Sequence, residues 1–166
     1  MELIAVKLSP LNSRKKIVMH IAHISTFPPT RCGIAEFAND LIENLSGVKS
    51  QKYRLVYSAV NEPGFAATIV TSDRNNLARL ADAINATSAD VVDLQHEFGI
   101  WGGDEGEHLQ GFLEVCQKPI VATLHTTFGP GNHPKQTSIL REICLAARKV
   151  RSEEHTSELQ SQNRIS

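Results

Sequence analysis

The chain has 166 residues, 41% of them hydrophobic and 5% aromatic, a length that suits one domain around an aliphatic core. Its formal net charge of -1, with both signs interspersed, argues against a nucleic-acid-binding surface and against a polybasic membrane patch. The three cysteines, Cys32, Cys116 and Cys144, form no CxxC pair and read as reduced thiols of a cytoplasmic protein, and no apolar run reaches the length of a membrane span.

Residues 1–15 lack the long apolar segment of a secretory signal and read as a flexible leader. From Lys16 to Leu45 the pattern is a buried strand, a turn rich in proline and glycine, then an amphipathic helix. Ile17, Val18, Ile21, Ala22 and Ile24 form the near-continuous apolar run of a parallel strand covered on both faces. Pro28 and Pro29 stop it, since proline brings no amide donor to a ladder. Gly33 then opens a helix with Ile34, Phe37, Ala38, Leu41 and Leu45 on one stripe. Such a turn points free backbone N–H groups at whatever sits above the strand end, a place suited to an anion such as phosphate.

Beyond the Ser46-Gly47 stop, Tyr53 to Val60 reads as a second strand and Ala67 to Val70 as a short third. Ser72 or Asp73 caps a helix to about Ala86, and Asp90 to Gln95 is a fourth strand. The loop His96 to Gly106 carries four glycines and the only tryptophan, and Glu107 to Cys116 is the next helix. Pro119 to His125 is a fifth strand, and a last helix runs from Pro134 to about Lys149. This alternation implies an α/β fold, Rossmann-like and doubly wound, with a mainly parallel sheet over residues 16–150. The segment RSEEHTSELQS from Arg151 matches one frame of a widely used sequencing-library adapter. Residues 151–166 are therefore expected to be a disordered artefact, from a protein whose natural chain continues past Val150, and the part before them is neutral.

Chemistry-bearing residues concentrate in TFPPTRCGIAEF, QHEFGIWGGDEGEH and LHTTFGPG, each just after a strand. Doubly wound sheets bind ligands outside the carboxyl ends of strands where the strand order reverses, so the first and fourth strands should place these loops around one crevice. Gly33 is either a tight-turn glycine or a point of ligand contact, and Arg31 beside it is either a solvated charge or an anion contact. Cys32 lacks an identifiable base partner and reads as a small packing residue. His96-Glu97 begins an HExxH pattern that Ile100 breaks, which leaves loop-gathered zinc at His96, His108 and His125 a remote alternative. His96 reads as a strand-end hydrogen-bonding group, and Trp101 as either a loop plug or a ring that stacks on a sugar. His20 and His23 read as structural, whereas His125 ends a strand beside the crevice and reads as functional.

Together STFPPTRCGIAEFANDLIENL, DVVDLQHEFGIWGGDEGEHL and KPIVATLHTTF resemble the N-terminal domain of family-4 (group 1) glycosyltransferases of the GT-B architecture. The likeness is strongest to bacterial mannosyltransferase-like members with a QHEFGIxGG segment. The resemblance implies a second Rossmann-like domain, absent from this chain, that holds most of a nucleotide-sugar donor. It implies retaining transfer to a glycan or lipid-linked acceptor, with no metal or other cofactor and with peripheral membrane contact open to the parent protein. On the same basis His125 matches a strand-end histidine in the catalytic position beside sugar and phosphate. Gly33, with Arg31, matches the donor diphosphate loop, and His96, Glu97 and Trp101 match the acceptor side. Two other classes stay open: a GT-B-fold sugar-nucleotide epimerase, and a non-catalytic Rossmann-like binding module.

Overall fold

The computed structural model describes residues 18–58, 63–127, 131 and 133–152. Its strands are β1 (Met19–Ser25), β2 (Val48–Val56), β3 (Ala67–Val70), β4 (Val91–His96), β5 (Ile120–Leu124) and β6 (Lys149–Ser152). Between them run α1 (Gly33–Asn44), α2 (Arg74–Asn85), α3 (Leu109–Leu113) and α4 (Pro134–Ala146). The order across the sheet is β3-β2-β1-β4-β5-β6, and every pairing is parallel. This is a Rossmann-like doubly wound sheet whose order reverses between β1 and β4.

Handedness explains the layers. Right-handed crossovers place the connection leaving β1 leftward on one face and the connections running rightward from β3 on the other. Accordingly α2, α3 and α4 bury Leu77, Leu80, Ile84, Phe112, Leu140 and Ile143 in one apolar cluster with the sheet. That cluster takes Ala22 and Ile24 from β1, Val92 and Leu94 from β4, and Ile120, Ala122 and Leu124 from β5. The alternate residues of the same strands face α1, and many are polar: His23, Asp93, Gln95 and Thr123. One helix covers this face over β1 and β2, tied down where Lys52 Nζ donates to Asn39 Oδ1 at 2.9 Å.

Asp73 caps α2 by accepting from Asn75 N at 2.9 Å, as the sequence indicates. Four expectations need correction. First, β2 starts at Val48, five residues before Tyr53, because it pairs along the whole of β1 through its backbone, whatever its polar side chains. Second, α3 is one short turn and a half rather than a helix from Glu107 to Cys116. Third, α4 ends at Ala146, short of Lys149.

Fourth, residues 149–152 form β6 on the open edge of β5, so Arg151 and Ser152 belong to the sheet rather than to a disordered tail. An unpaired edge accepts a strand through main-chain groups alone, which is why no apolar pattern announces β6. Arg151 even stacks its guanidinium 5.6 Å from the Phe37 ring. The expectations for residues 1–15 and for the rest of the tail lie outside the described residues.

Leu94 sits fully buried at the centre of the sheet, whereas Val121 on the opposite face is 37% exposed. Leu94→Ala should lower unfolding free energy by about 2–5 kcal/mol, and Val121→Ala by less than about 1.5 kcal/mol, in urea denaturation. Equal shifts for the two variants would mean that the apolar cluster is not the core.

Candidate functional site

Because every strand runs the same way, the three suspected loops leave one edge of the sheet. The β1–α1 turn contains the cis Pro28–Pro29 bond and closes through Thr30 N donating to Phe27 O at 3.0 Å. Cys32 is the cap residue of α1, without a side-chain cap bond, and its thiol lies 3.3 Å from Thr26 Oγ1. The first intrahelical acceptor is Cys32 O, which takes Ala35 N and Glu36 N. A Cβ built on Gly33 would meet nothing within 4 Å, so the helix start opens onto free space. Gly33 has no positive φ, so it is not the strained turn that a glycine requirement would suggest. Arg31 is exposed and makes no hydrogen bond or ion pair among the described residues.

Across the edge, His125 follows β5 and continues the ladder, with its N–H donating to His96 O at 2.9 Å. Its Nε2 lies 2.9 Å from Gln95 Oε1, and Phe37 of α1 packs edge-on against its ring at 5.1 Å. That ring contact joins the second turn of the Gly33 helix to the end of β5. Glu97 is half-buried; one of its oxygens accepts from Phe98 N at 3.0 Å and the other from the Thr126 hydroxyl. The structure therefore gathers Gly33, Arg31, Glu97 and His125 at the edge named from sequence.

Two of the named residues are not where a ligand could touch them. Trp101 is 0% exposed, packs on Phe112 at 6.4 Å and donates Nε1–H to the Gln95 carbonyl at 3.1 Å. It is the plug of the loop, and its faces are covered by core atoms rather than available to a sugar. His96 is also 0% exposed, on the apolar side of β4, edge-on to Phe98 at 5.0 Å. Both of its ring nitrogens are buried without a hydrogen-bond partner. Burial, and secondarily the nearby charge of His125 when protonated, push His96 down to about 4. His96 is thus a neutral core ring at ordinary pH. His108 is spent elsewhere, with Nδ1 donating to Thr71 O at 2.7 Å. No group of three or more metal-ligating side chains forms among the described residues.

A crevice of about 390 Å³ lies over the ends of β1, β2 and β3, between the Cys32 turn and Gly99-Ile100. Arg54 lines it, nearly buried, with Nη2 donating to Thr30 Oγ1 at 3.0 Å and its guanidinium 5.2 Å from the Phe65 ring. Sequence reasoning passed over Arg54 because it sits inside an apolar strand run. It also passed over Asp93 and Gln95, although polar side chains at i and i+2 of a central strand are an available signal.

The loop after β4 is held by its backbone and by α4. Gly102 has φ +73, and a Cβ there would lie 2.0 Å from Thr71 O. Gly106 has φ +80, and a Cβ there would lie 2.7 Å from Phe98 O. Lys135, in the first turn of α4, donates to Asp104 at 2.6 Å and to Glu107 at 3.3 Å.

Comparison with models of protein families and with curated proteins finds no match. No helix among the described residues is long and apolar enough to cross a membrane.

The buried His96 makes stability depend on pH with a definite sign. Its folded value of about 4 lies below the ordinary 6.5 of an unfolded histidine, so the unfolded state binds the extra proton. Its contribution is complete above pH 6.5 and is lost as pH falls toward 4, on the order of 3 kcal/mol in all. Thermal unfolding from pH 7 to 4 should show His96→Leu losing markedly less of its midpoint than the parent chain. Parallel curves would mean that His96 does not carry this dependence.

Proposed function

We propose that the chain is the N-terminal half of a two-domain GT-B glycosyltransferase that transfers a sugar, with retention, from a nucleotide-sugar to a glycan or lipid-linked acceptor. The observation that carries the reading is the open start of α1 at Gly33, on the edge where His125 packs against Phe37. A diphosphate can approach Gly33 and Ile34 N–H groups there without displacing a side chain, and a helix N-terminus favours its negative charge. Arg31 is available to the same anion. Glu97, held by Thr126 after β5, is assigned to the acceptor, and the Arg54 crevice opens beside the same turn at Cys32. His96 and Trp101 support this edge from beneath rather than contact the acceptor.

In the proposed reaction the bond from the sugar anomeric carbon to the diphosphate oxygen breaks. The acceptor oxygen bonds the same carbon on the same face, and the leaving phosphate takes the acceptor proton. The N–H groups at Gly33 stabilise charge as it grows on the leaving group, an interaction stronger in the transition state than in the ground state. No metal is assigned a role. The second domain supplies most donor contacts, so the 166-residue chain by itself should show no transfer.

The test is to read the gene through its genomic locus and assay the protein that includes the second domain with nucleotide-sugars. Gly33→Val should reduce transfer about a hundredfold while the folded fraction is unchanged, since a Cβ at this position meets nothing within 4 Å in the protein and the side chain would stand where the diphosphate must approach. The matched control is Asp40→Val on the exposed side of α1, because Gly47 has φ +74 and a valine there would strain the backbone. Equal activity of Gly33→Val and Asp40→Val, a frame without a second domain, or net epimerisation without an acceptor would each overturn the reading.

A further inference from the structure

The α1-facing side of the sheet carries a continuous row of polar contacts from β2 to the end of β5. Ser50 Oγ lies 3.1 Å from His23 Nε2, and His23 Nδ1 lies 2.8 Å from Asp93 Oδ2. Gln95 donates Nε2–H to Asp93 Oδ1 at 2.9 Å, and Gln95 Oε1 faces His125 Nε2 at 2.9 Å. His23 and Gln95 are 1% and 0% exposed. Parallel register produces the row: His23 pairs with Asp93, Gln95 pairs with Thr123, and His125 follows two residues later on the same face.

We propose that Asp93 and Gln95 are positioning residues that fix which ring nitrogen of His125 carries its hydrogen. The inference rests on the reading of His125 as a site residue for its functional meaning, but its geometry stands apart from that reading. An ionised carboxylate can only accept, so the Gln95 amide must turn its NH2 toward Asp93. Its carbonyl oxygen then faces His125, and a carbonyl also only accepts. His125 Nε2 must therefore be the N–H, and in the neutral ring Nδ1 is the acceptor nitrogen. At the other end Asp93 takes the Nδ1–H of His23, which leaves His23 Nε2 to accept from the Ser50 hydroxyl. With Asp93 ionised and both rings neutral, this arrangement gives each of these contacts one donor and one acceptor.

The orientation of an amide is ordinarily ambiguous, because its oxygen and nitrogen look alike. Here an acceptor-only neighbour removes the ambiguity. The Nε2–H of His125 is committed inside the protein and is not offered to an anion at the helix start. A charge in β4, two residues before Gln95, thus sets the hydrogen-bonding character of the residue that follows β5.

The experiment is histidine side-chain 1H–15N NMR on the chain as it stands, near neutral pH. The parent should give a single His125 tautomer, with hydrogen on Nε2 and that hydrogen slow to exchange with water. Gln95→Leu should abolish the slowly exchanging signal. Asp93→Asn, which keeps the shape but can donate as well as accept, should convert the single tautomer into a mixture. Hydrogen on Nδ1 of His125 in the parent chain would overturn the proposal, even if neither variant folds. An unchanged Nε2–H signal in folded Gln95→Leu would overturn it as well. Neither outcome depends on glycosyl transfer, and loss of the transferase reading would leave this measurement untouched.

Discussion

The parallel pairing of β1 with β4 is the constraint on which the remaining geometry depends. It fixes the point where the sheet stops growing one way and begins to grow the other, and right-handed crossovers then send α1 to one face and α2, α3 and α4 to the opposite face. The turn into α1 and the loop after β4 consequently leave from neighbouring strands. The register His23 with Asp93 and Ile24 with Leu94 also decides which residues meet on each face. A shift of one residue would set His23 and Gln95 among Leu77, Phe112 and Ile143, where their polar groups would lose their partners.

The two faces of this sheet do different work. The face under α2, α3 and α4 is aliphatic and aromatic and supplies the apolar burial that holds the domain together. The face under α1 carries hydrogen-bonded side chains that pass from Ser50 through His23, Asp93 and Gln95 to His125. Because the polar groups are paired with one another, their burial carries little penalty beyond that of ordering them. His96 lies outside that row: it points to the apolar face with two unpartnered nitrogens, and the protein keeps it by keeping it neutral.

Much of this arrangement was legible in the sequence, for reasons that can be named. Alternating strand and helix periods, with the Asp73 cap, identify the doubly wound class and place the Gly33, His96 and His125 segments at one edge. Less legible were features set by partners distant in sequence. Nothing in KVRS marks β6, because its pairing uses only backbone groups on the open side of β5. Trp101 and His96 lie in a loop and at a strand end, positions that suggest exposure. Whether Trp101 meets solvent depends on Phe112, which reaches it only after the chain has folded, and His96 is buried by its place on the apolar side of β4. Arg54 shows the converse: its apolar neighbours in β2 conceal a charge that ends up lining the crevice.

The loop between β4 and α3 carries a run of left-handed residues: Gly102, Gly103, Glu105 and Gly106 all have positive φ. For glycine that conformation is inexpensive, while for Glu105 it costs on the order of 1 kcal/mol, and Glu105 keeps it while its carboxylate accepts from Gln136 at the start of α4. The shape is thus dictated by the chain before anything binds. The close backbone packing narrows the substitutions the loop can accept: side chains at 102 and 106 would collide with backbone oxygens of Thr71 and Phe98, so even alanine would force neighbouring main chain to move.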